Sequence, residues 1–229
     1  MTLSDIGKLF RLTGVEFLTS PKELKRRLKS IRAFVFDWDG VFNSGAKGRG
    51  KTSSFSEADS MGINLLRFAF WLNHKTILYT AIVTGEKNPS AIQLAERERF
   101  HSVFVKTNDK RKAVDFIVST QKIEPSGIAC CFDDVADLGM AGSCGLRFLI
   151  RREGSPLFLK YAKERKLADY VSGKTGGQNA VREICELVLG LNGDYDRAIT
   201  SRIKFDPDYR EYMKRRNEIK PVVTSLTSK

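Results

Sequence analysis

Asp37 and Asp39 lie one residue apart, after the apolar run Ala33-Phe34-Val35-Phe36 and just before Gly40. Carboxylates paired in this way can bind a hard cation, carry a proton or attack an electrophile. The apolar run, bounded by glycine, predicts a buried strand of a parallel sheet. Alternation sends both acids to one face, unless the strand ends between them and the backbone aims them separately. In open α/β sheets, chemistry gathers at the carboxyl ends of strands. Two acids there require a cation, and Mg²⁺ suits them because it takes oxygen ligands and leaves room for a phosphate. A pair of solvated turn aspartates is the other reading, and Asp-x-Asp-Gly is too short to decide between them.

Further polar groups follow apolar runs along the chain. Thr76 to Val83 reads as a strand and ends at Thr84-Gly85-Glu86-Lys87. Ser102 to Val105 reads as a short strand, and Lys106-Thr107-Asn108-Asp109-Lys110 leads from it into a helix. Gly127 to Phe132 is another strand and ends in Asp133-Asp134-Val135-Ala136-Asp137. A parallel sheet brings these tips to one edge. Carboxylates from two strands can then hold Mg²⁺ while a lysine and a hydroxyl bind the remaining oxygens of a phosphoryl group. Taken singly, Thr84 reads as a turn residue, Lys110 as a surface lysine, and Asp133 and Asp134 as helix caps. Their joint order is far more specific than any one of them.

The elements that position these groups alternate between strand and helix. Ser20-Pro21-Lys22-Glu23 has the composition of a helix start, with Ser20 as cap and Pro21 at the first helical position. Asp59 to Trp71 predicts a helix with a broad buried face, and Ser90 to Arg99 predicts another. Leu146 to Ile150 and Ala168 to Val171 read as short strands. Gly176-Gly177-Gln178-Asn179 opens a last core helix carrying Val181, Ile184, Leu187, Val188 and Leu191. The alternation predicts an α/β three-layer, Rossmann-like sandwich around a mainly parallel sheet. The glycine-containing stretch from Asn43 to Lys51 predicts a small β-hairpin flap over about 41–57. Residues 1–30 form a helical extension with a weakly patterned start, 31–192 the core domain, and 193–229 a basic, partly helical tail. In that tail Asp206 to Lys220 reads as helix, Pro221 ends it, and a mobile Ser/Thr-rich stretch follows.

The net charge of the 229-residue chain is +12, which suits nucleic acid, an anionic surface or a phosphorylated small substrate. Runs such as residues 22–29 and 214–216 are more often solvated helix faces than binding patches. Aromatic and basic residues do not interleave as a single-strand binding surface requires, so no nucleic-acid partner is expected. Cys130, Cys131, Cys144 and Cys185 form no C-x-x-C pair and read as reduced residues of a cytoplasmic protein. Cys130 and Cys131 point to opposite faces of their strand. The chain shows no signal-like or membrane-spanning apolar stretch, so no membrane partner is expected.

Across about residues 31–191 the chain resembles the haloacid dehalogenase (HAD) superfamily of phosphatases. It is most similar to the small, capless branch of 3-deoxy-D-manno-octulosonate (KDO) 8-phosphate phosphatases. The resemblance rests on Asp37-Trp38-Asp39-Gly40-Val41 and the hairpin after it, and on Phe55, Asp59, Gly62-Ile63, Ile82-Val83-Thr84-Gly85 and Asn108-Asp109-Lys110. Asp133-Asp134-Val135-Ala136-Asp137 and Ala168 to Val171 followed by Gly176-Gly177 extend it. It implies that Asp37 is the nucleophile and that Asp39 is the acid and base at the leaving and attacking oxygens. It further implies Mg²⁺ on Asp37, the main-chain carbonyl of Asp39 and Asp133. Thr84 then donates to the phosphoryl oxygens, and Lys110 holds the nucleophile and phosphate charges together. Asp134 and Asp137 either support this site or cap the next helix. The implied partners are a small phosphorylated metabolite, a sugar or sugar acid, and further copies of the chain in a tetramer whose neighbours close the site, with Phe42 and Phe55 packing across.

The departures from that family fall mainly on substrate recognition. Ala58, Glu86 and Gln178 stand where arginines are usual, and Ser44 where aspartate is usual. Phe132 replaces the glycine before Asp133. Lys47, Arg49, Lys51 and Lys87 are the nearby cations that could compensate. Two other function classes stay open on sequence: a catalytically weak binding or assembly subunit, and a nucleic-acid binder using the positive charge.

Overall fold

A computed structural model describes residues 1–48 and 53–226. Its first half contains α1 (Leu3–Arg11), β1 (Glu16–Phe17), α2 (Pro21–Leu28), β2 (Ala33–Asp37), α3 (Glu57–His74), β3 (Tyr79–Val83), α4 (Pro89–Glu98) and β4 (Ser102–Val105). The second half contains α5 (Arg111–Gln121), β5 (Ile128–Phe132), α6 (Leu138–Gly142), β6 (Leu146–Arg151), α7 (Pro156–Glu164), β7 (Tyr170–Thr175) and α8 (Ala180–Asn192). After these come α9 (Tyr195–Lys204), α10 (Pro207–Asn217) and β8 (Val222–Ser225).

The strands form one eight-stranded sheet in the order β1-β7-β6-β5-β2-β3-β4-β8. Every pairing is parallel except β1 with β7. The chain progresses outward from β2 in both directions, so β2 and β5 lie side by side at the point where the order reverses. Strand alternation divides the core between two helical layers. Phe34 and Phe36 of β2, with Cys131 of β5, face the cluster that includes Ile63, Leu66, Ile184 and Val188. Val35, Cys130 and Phe132 face the opposite cluster, with Val114, Ile117 and Met140. The two adjacent cysteines therefore point to opposite faces, and all four cysteines are free thiols.

Several boundaries differ from the sequence expectation. Residues 76–78 stay outside β3, and β7 runs from Tyr170 to Thr175 instead of ending at Val171. The weakly patterned start contains α1, closed by a capping box in which Thr2 and Asp5 satisfy each other's backbone groups. β1 then adds an antiparallel edge to the sheet.

The largest difference is the C-terminal tail. Tyr209 and Tyr212 of α10 are buried with Phe68, Trp71 and Leu72, on the side of α3 away from the sheet. That second packing surface accounts for the broad apolar face of α3. α10 ends at Asn217, short of the expected Lys220, and the segment read as mobile contains β8, paired in parallel with β4 from Ser102↔Val222 to Val105↔Ser225. Backbone hydrogen bonds to an exposed sheet edge outweigh the low hydrophobicity of Val-Val-Thr-Ser. The basic runs are also partly consumed. Arg27 reaches Asp169, and Arg216, only 6% exposed, pairs with Glu98 at 3.1 Å. Among the described residues no helix is long and apolar enough to cross a membrane.

The expected hairpin is absent among the described residues of 41–57, where the one β-type contact is an isolated bridge between Asp39 and Asn43. Side chains hold this stretch as a loop. The side-chain Oδ1 of Asn43 accepts from the Gly45 N–H at 2.8 Å, and Ser53 is tied to Trp38, Asn43 and Asp39. Phe42 is buried inside its own chain, between the rings of Phe36 and Trp38, and Phe55 packs edge-on to Trp38. The expectation that both rings pack across a subunit boundary therefore fails for Phe42, which has no exposed face to offer.

Candidate active site

β2 ends at Asp37, and its neighbour β5 ends one residue before Asp133, so register alone brings the two carboxylates together. Asp37, Asp133 and the nearby Asp137 are all buried, with carboxylate oxygens within 4.8 Å of one another. Gly40 makes this approach feasible. Its φ is +91°, and a Cβ there would collide with the Asp133 carboxylate. The Phe132 ring lies on the opposite face of β5, so the bulky residue ahead of Asp133 does not displace it.

The positive partner of this cluster is Lys110, at the start of α5, whose ammonium donates to both Asp37 and Asp137. The second oxygen of Asp137 accepts the main-chain N–H groups of Asp133 and Asp134, each at 3.2 Å. Asp134 and Asp137 also close a capping box around the turn Val135–Asp137. Both sequence readings of these acids thus hold: they cap a turn, and Asp137 anchors the lysine through the same side chain.

Three acids crowd a dry site, and their proton affinities respond. Burial, then the charge of Asp137, pushes Asp37 up to about 7. Burial and the charges of Asp37 and Asp137 push Asp133 up to about 9. Burial alone would lower Lys110, but the two aspartates outweigh it and raise it. Asp133 Oδ2 is also buried without a hydrogen bond. Excess negative charge, an orphaned carboxylate oxygen and all-oxygen donors fit a hard divalent cation.

Asp39 points elsewhere. Its carboxylate accepts from Lys47 Nζ at 2.6 Å, Ser53 Oγ at 2.7 Å and Asn88 Nδ2 at 3.1 Å. Burial would raise it, but these three donors together hold it below the usual carboxylate range. Asn88 also donates to Thr84 Oγ1 at 2.7 Å, which leaves the Thr84 hydroxyl hydrogen free for another acceptor. Lys47 links Asp39 to Glu86, so the residue standing in for a usual arginine serves as the second anchor of a lysine. Of the expected compensating cations, Lys47 reaches the site and Lys87 is solvent-exposed, while Arg49 and Lys51 lie outside the described residues. Asp59 does not join the cluster; it accepts from Ser56 and from the Arg182 N–H, fixing the start of α8.

The sequence reading missed Ser53, Asn88 and Arg152. Asn88 before Pro89 carries the signature of a helix cap, which is where its position could have been inferred. Arg152 had no signal; it follows β6 in an otherwise polar loop, with its Nε 2.9 Å from Asp133 Oδ2.

No family model matches the chain. The KDO 8-phosphate phosphatase KdsC of Salmonella typhi is 27% identical over 176 residues, 75% of this chain and 86% of that protein. A HAD superfamily (subfamily III A) hydrolase structure from Legionella pneumophila superposes with a TM-score of 0.66 at 28% identity, over 80% of this chain and 95% of the other. The KDO 8-phosphate phosphatase of Moraxella catarrhalis, solved with magnesium, phosphate and KDO, gives 0.65 at 27%, over 79% and 98%. The chain is a phosphatase that resembles the HAD superfamily. It resembles the KdsC branch of that superfamily and shares its lack of a large cap. These matches leave part of this chain uncovered.

Proposed function

We propose that this phosphatase is a Mg²⁺-dependent phosphomonoester hydrolase. It forms an aspartyl-phosphate on Asp37 and acts on a small sugar or sugar-acid phosphate. The carrying observation is the cluster of Asp37, Asp133 and Asp137 on one lysine, at the reversal point of the sheet. Asp37 and Asp133, with the Asp39 main-chain carbonyl, would hold the ion, since both oxygens of Asp137 are already engaged. Bound there, the ion would neutralise the acids and the phosphate and orient them for in-line attack.

The chain's own groups perform the rest. The Asp37 oxygen facing the cleft attacks phosphorus and forms the new P–O bond as the ester oxygen departs. Lys110, fixed by Asp137, offsets the charge on nucleophile and phosphoryl group. The free Thr84 hydroxyl donates to a phosphoryl oxygen. Asp39 starts as a carboxylate held by Lys47. The incoming phosphate draws Lys47 away, Asp39 takes up a proton, and it then passes that proton to the leaving alkoxide. In the second half it removes a proton from water, which hydrolyses the acyl-phosphate and restores Asp37.

The weak-binder reading rested on Phe132 and on the missing arginines; the first motive weakens, because Phe132 packs away from the carboxylate cluster. The test is phosphate release from a panel of sugar and sugar-acid phosphates, with Mg²⁺, with Co²⁺ and with chelator. Release that needs a divalent ion and disappears in Asp37→Asn supports the proposal; full activity in that variant rules it out.

A further inference from the structure

Arg152 occupies a singular position. Its guanidinium bridges two acids, with Nε 2.9 Å from Asp133 Oδ2 and Nη1 2.9 Å from Asp134 Oδ2. The first contact is a charge contact without hydrogen-bond alignment, which is why the same Asp133 oxygen is left orphaned. The arginine side chain is one-third exposed (33%), against 2% for Asp133. It therefore sits at the boundary between the dry cluster and the cleft. The passing loop makes room for it: Gly45 has φ +71°, and a Cβ there would lie 2.8 Å from Arg152 Nη2. The neighbouring Arg151 has a different job, binding Glu16 and the carbonyls of Gly14 and Ser172.

A cleft of about 230 Å³ opens beside Arg152, lined by Gly40, Ser44, Glu153, Thr175 and Gly176. It adjoins the carboxylate cluster through Gly40. The bridge is poorly aligned on one side and firm on the other, where Nη1 donates to half-buried Asp134. A divalent ion on Asp133 would neutralise that carboxylate and repel the guanidinium, leaving Arg152 held by Asp134 and free to face the cleft.

We propose that Arg152 is the built-in counter-cation of this site. It occupies Asp133 until a divalent ion displaces it, and it then binds a second anionic group of the substrate, a carboxylate, in the Ser44–Thr175 cleft. This rests on the proposed metal site and deepens the reading of the substrate as a sugar acid. A planar guanidinium suits a carboxylate in two-point contact. It lies on the loop after β6, and its cleft shares Ser44, Thr175 and Gly176 with the pocket that Gln178 lines.

The test is calorimetric titration of the chelator-treated chain with Mg²⁺ and with Mn²⁺, on wild type, Arg152→Gln and Arg152→Lys. Thermal melts confirm that each variant is folded. Removing the competing charge should tighten ion binding by roughly tenfold in Arg152→Gln, by analogy with other close charge pairs. Arg152→Lys keeps the charge and should stay near wild type. In the ion-loaded enzyme, Arg152→Gln should raise KM for a sugar-acid phosphate several-fold while leaving KM for an aryl phosphate monoester that carries no carboxylate unchanged. Ion affinity that is unchanged or weaker in Arg152→Gln overturns the proposal, as does an equal KM change for both substrates. If wild type itself binds no divalent ion, the metal-dependent function falls together with this inference. If wild type binds it and Arg152→Gln binds it equally, this inference alone fails.

Discussion

Two buried aspartate sites in this molecule are built with opposite logic. Asp169 is 2% exposed, and both of its oxygens are engaged. Oδ1 accepts from Thr19, Arg27 and Arg147, while Oδ2 accepts from the Arg147 backbone and side chain. Burial would raise its proton affinity, but the arginines and Thr19 outweigh it and hold the carboxyl low. Asp133 is equally buried, yet burial and two neighbouring acids outweigh its one poorly aligned cation, Arg152, and push it up to about 9. A balanced acid ties elements together. An unbalanced acid is a site waiting for a ligand, and the excess charge at the carboxyl edge of the sheet marks function more reliably than burial does.

The sharpest way to break this contrast is Asp37→Asn. It should lower phosphate release by about a thousandfold or more. The chelator-treated variant should melt no lower than wild type, because a crowded charge is removed. A variant that loses stability and activity together would mean that Asp37 is structural in the manner of Asp169. Asp169→Ala should do the reverse. It strands Arg27 and Arg147, should cost about 3 kcal/mol in denaturant unfolding, and should leave kcat unchanged in the remaining folded enzyme.

How far the sequence disclosed these two sites differs for the same physical reason. The active edge was legible because each contributor sits at the end of an apolar run: Asp37 after Ala33–Phe36, Thr84 after the β3 run, Asp133 after β5. Strand alternation and parallel order then gather them without further information. Asp169 gave no such signal, because its partners Thr19, Arg27 and Arg147 come from loop, helix and strand far apart in sequence. Arg152 and Ser53 were missed likewise, since loops position them. Among the described residues of the expected hairpin, Asn43, Ser53 and Trp38 bond through side chains in place of a strand ladder, which the sequence pattern does not disclose. The strand β8 was hidden because its stability comes from the edge of β4, while Val222 to Ser225 carries little hydrophobic signal of its own.

A smaller effect sharpens the comparison further. Asp133→Asn removes one of three crowded charges and keeps the size of the side chain. In the chelator-treated chain it should raise unfolding free energy by about 1–2 kcal/mol. With saturating Mg²⁺ that order should invert, because only wild type gains from ion binding. Paired melts with and without ion read both outcomes. A variant less stable than wild type in chelator would place Asp133 among balanced acids.

The subtlest test uses acid, because the two sites carry opposite signs. Asp169 is held below its ordinary 3.8, so its stabilisation is fully present above that value and is lost as pH falls through the folded pKa. The stability gap between wild type and Asp169→Asn should therefore stay constant from pH 7 to about 4 and close only below that. Asp133 is raised to about 9 from 3.8, so its ionisation penalises the folded chain above pH 9 and is relieved as pH falls. The advantage of Asp133→Asn in chelator should be greatest near pH 9 and shrink steadily towards pH 5. Urea unfolding midpoints across that range separate the two profiles. Parallel profiles for the two variants would mean that both aspartates are neutralised alike, and that the carboxyl edge holds no excess charge for a cation to answer.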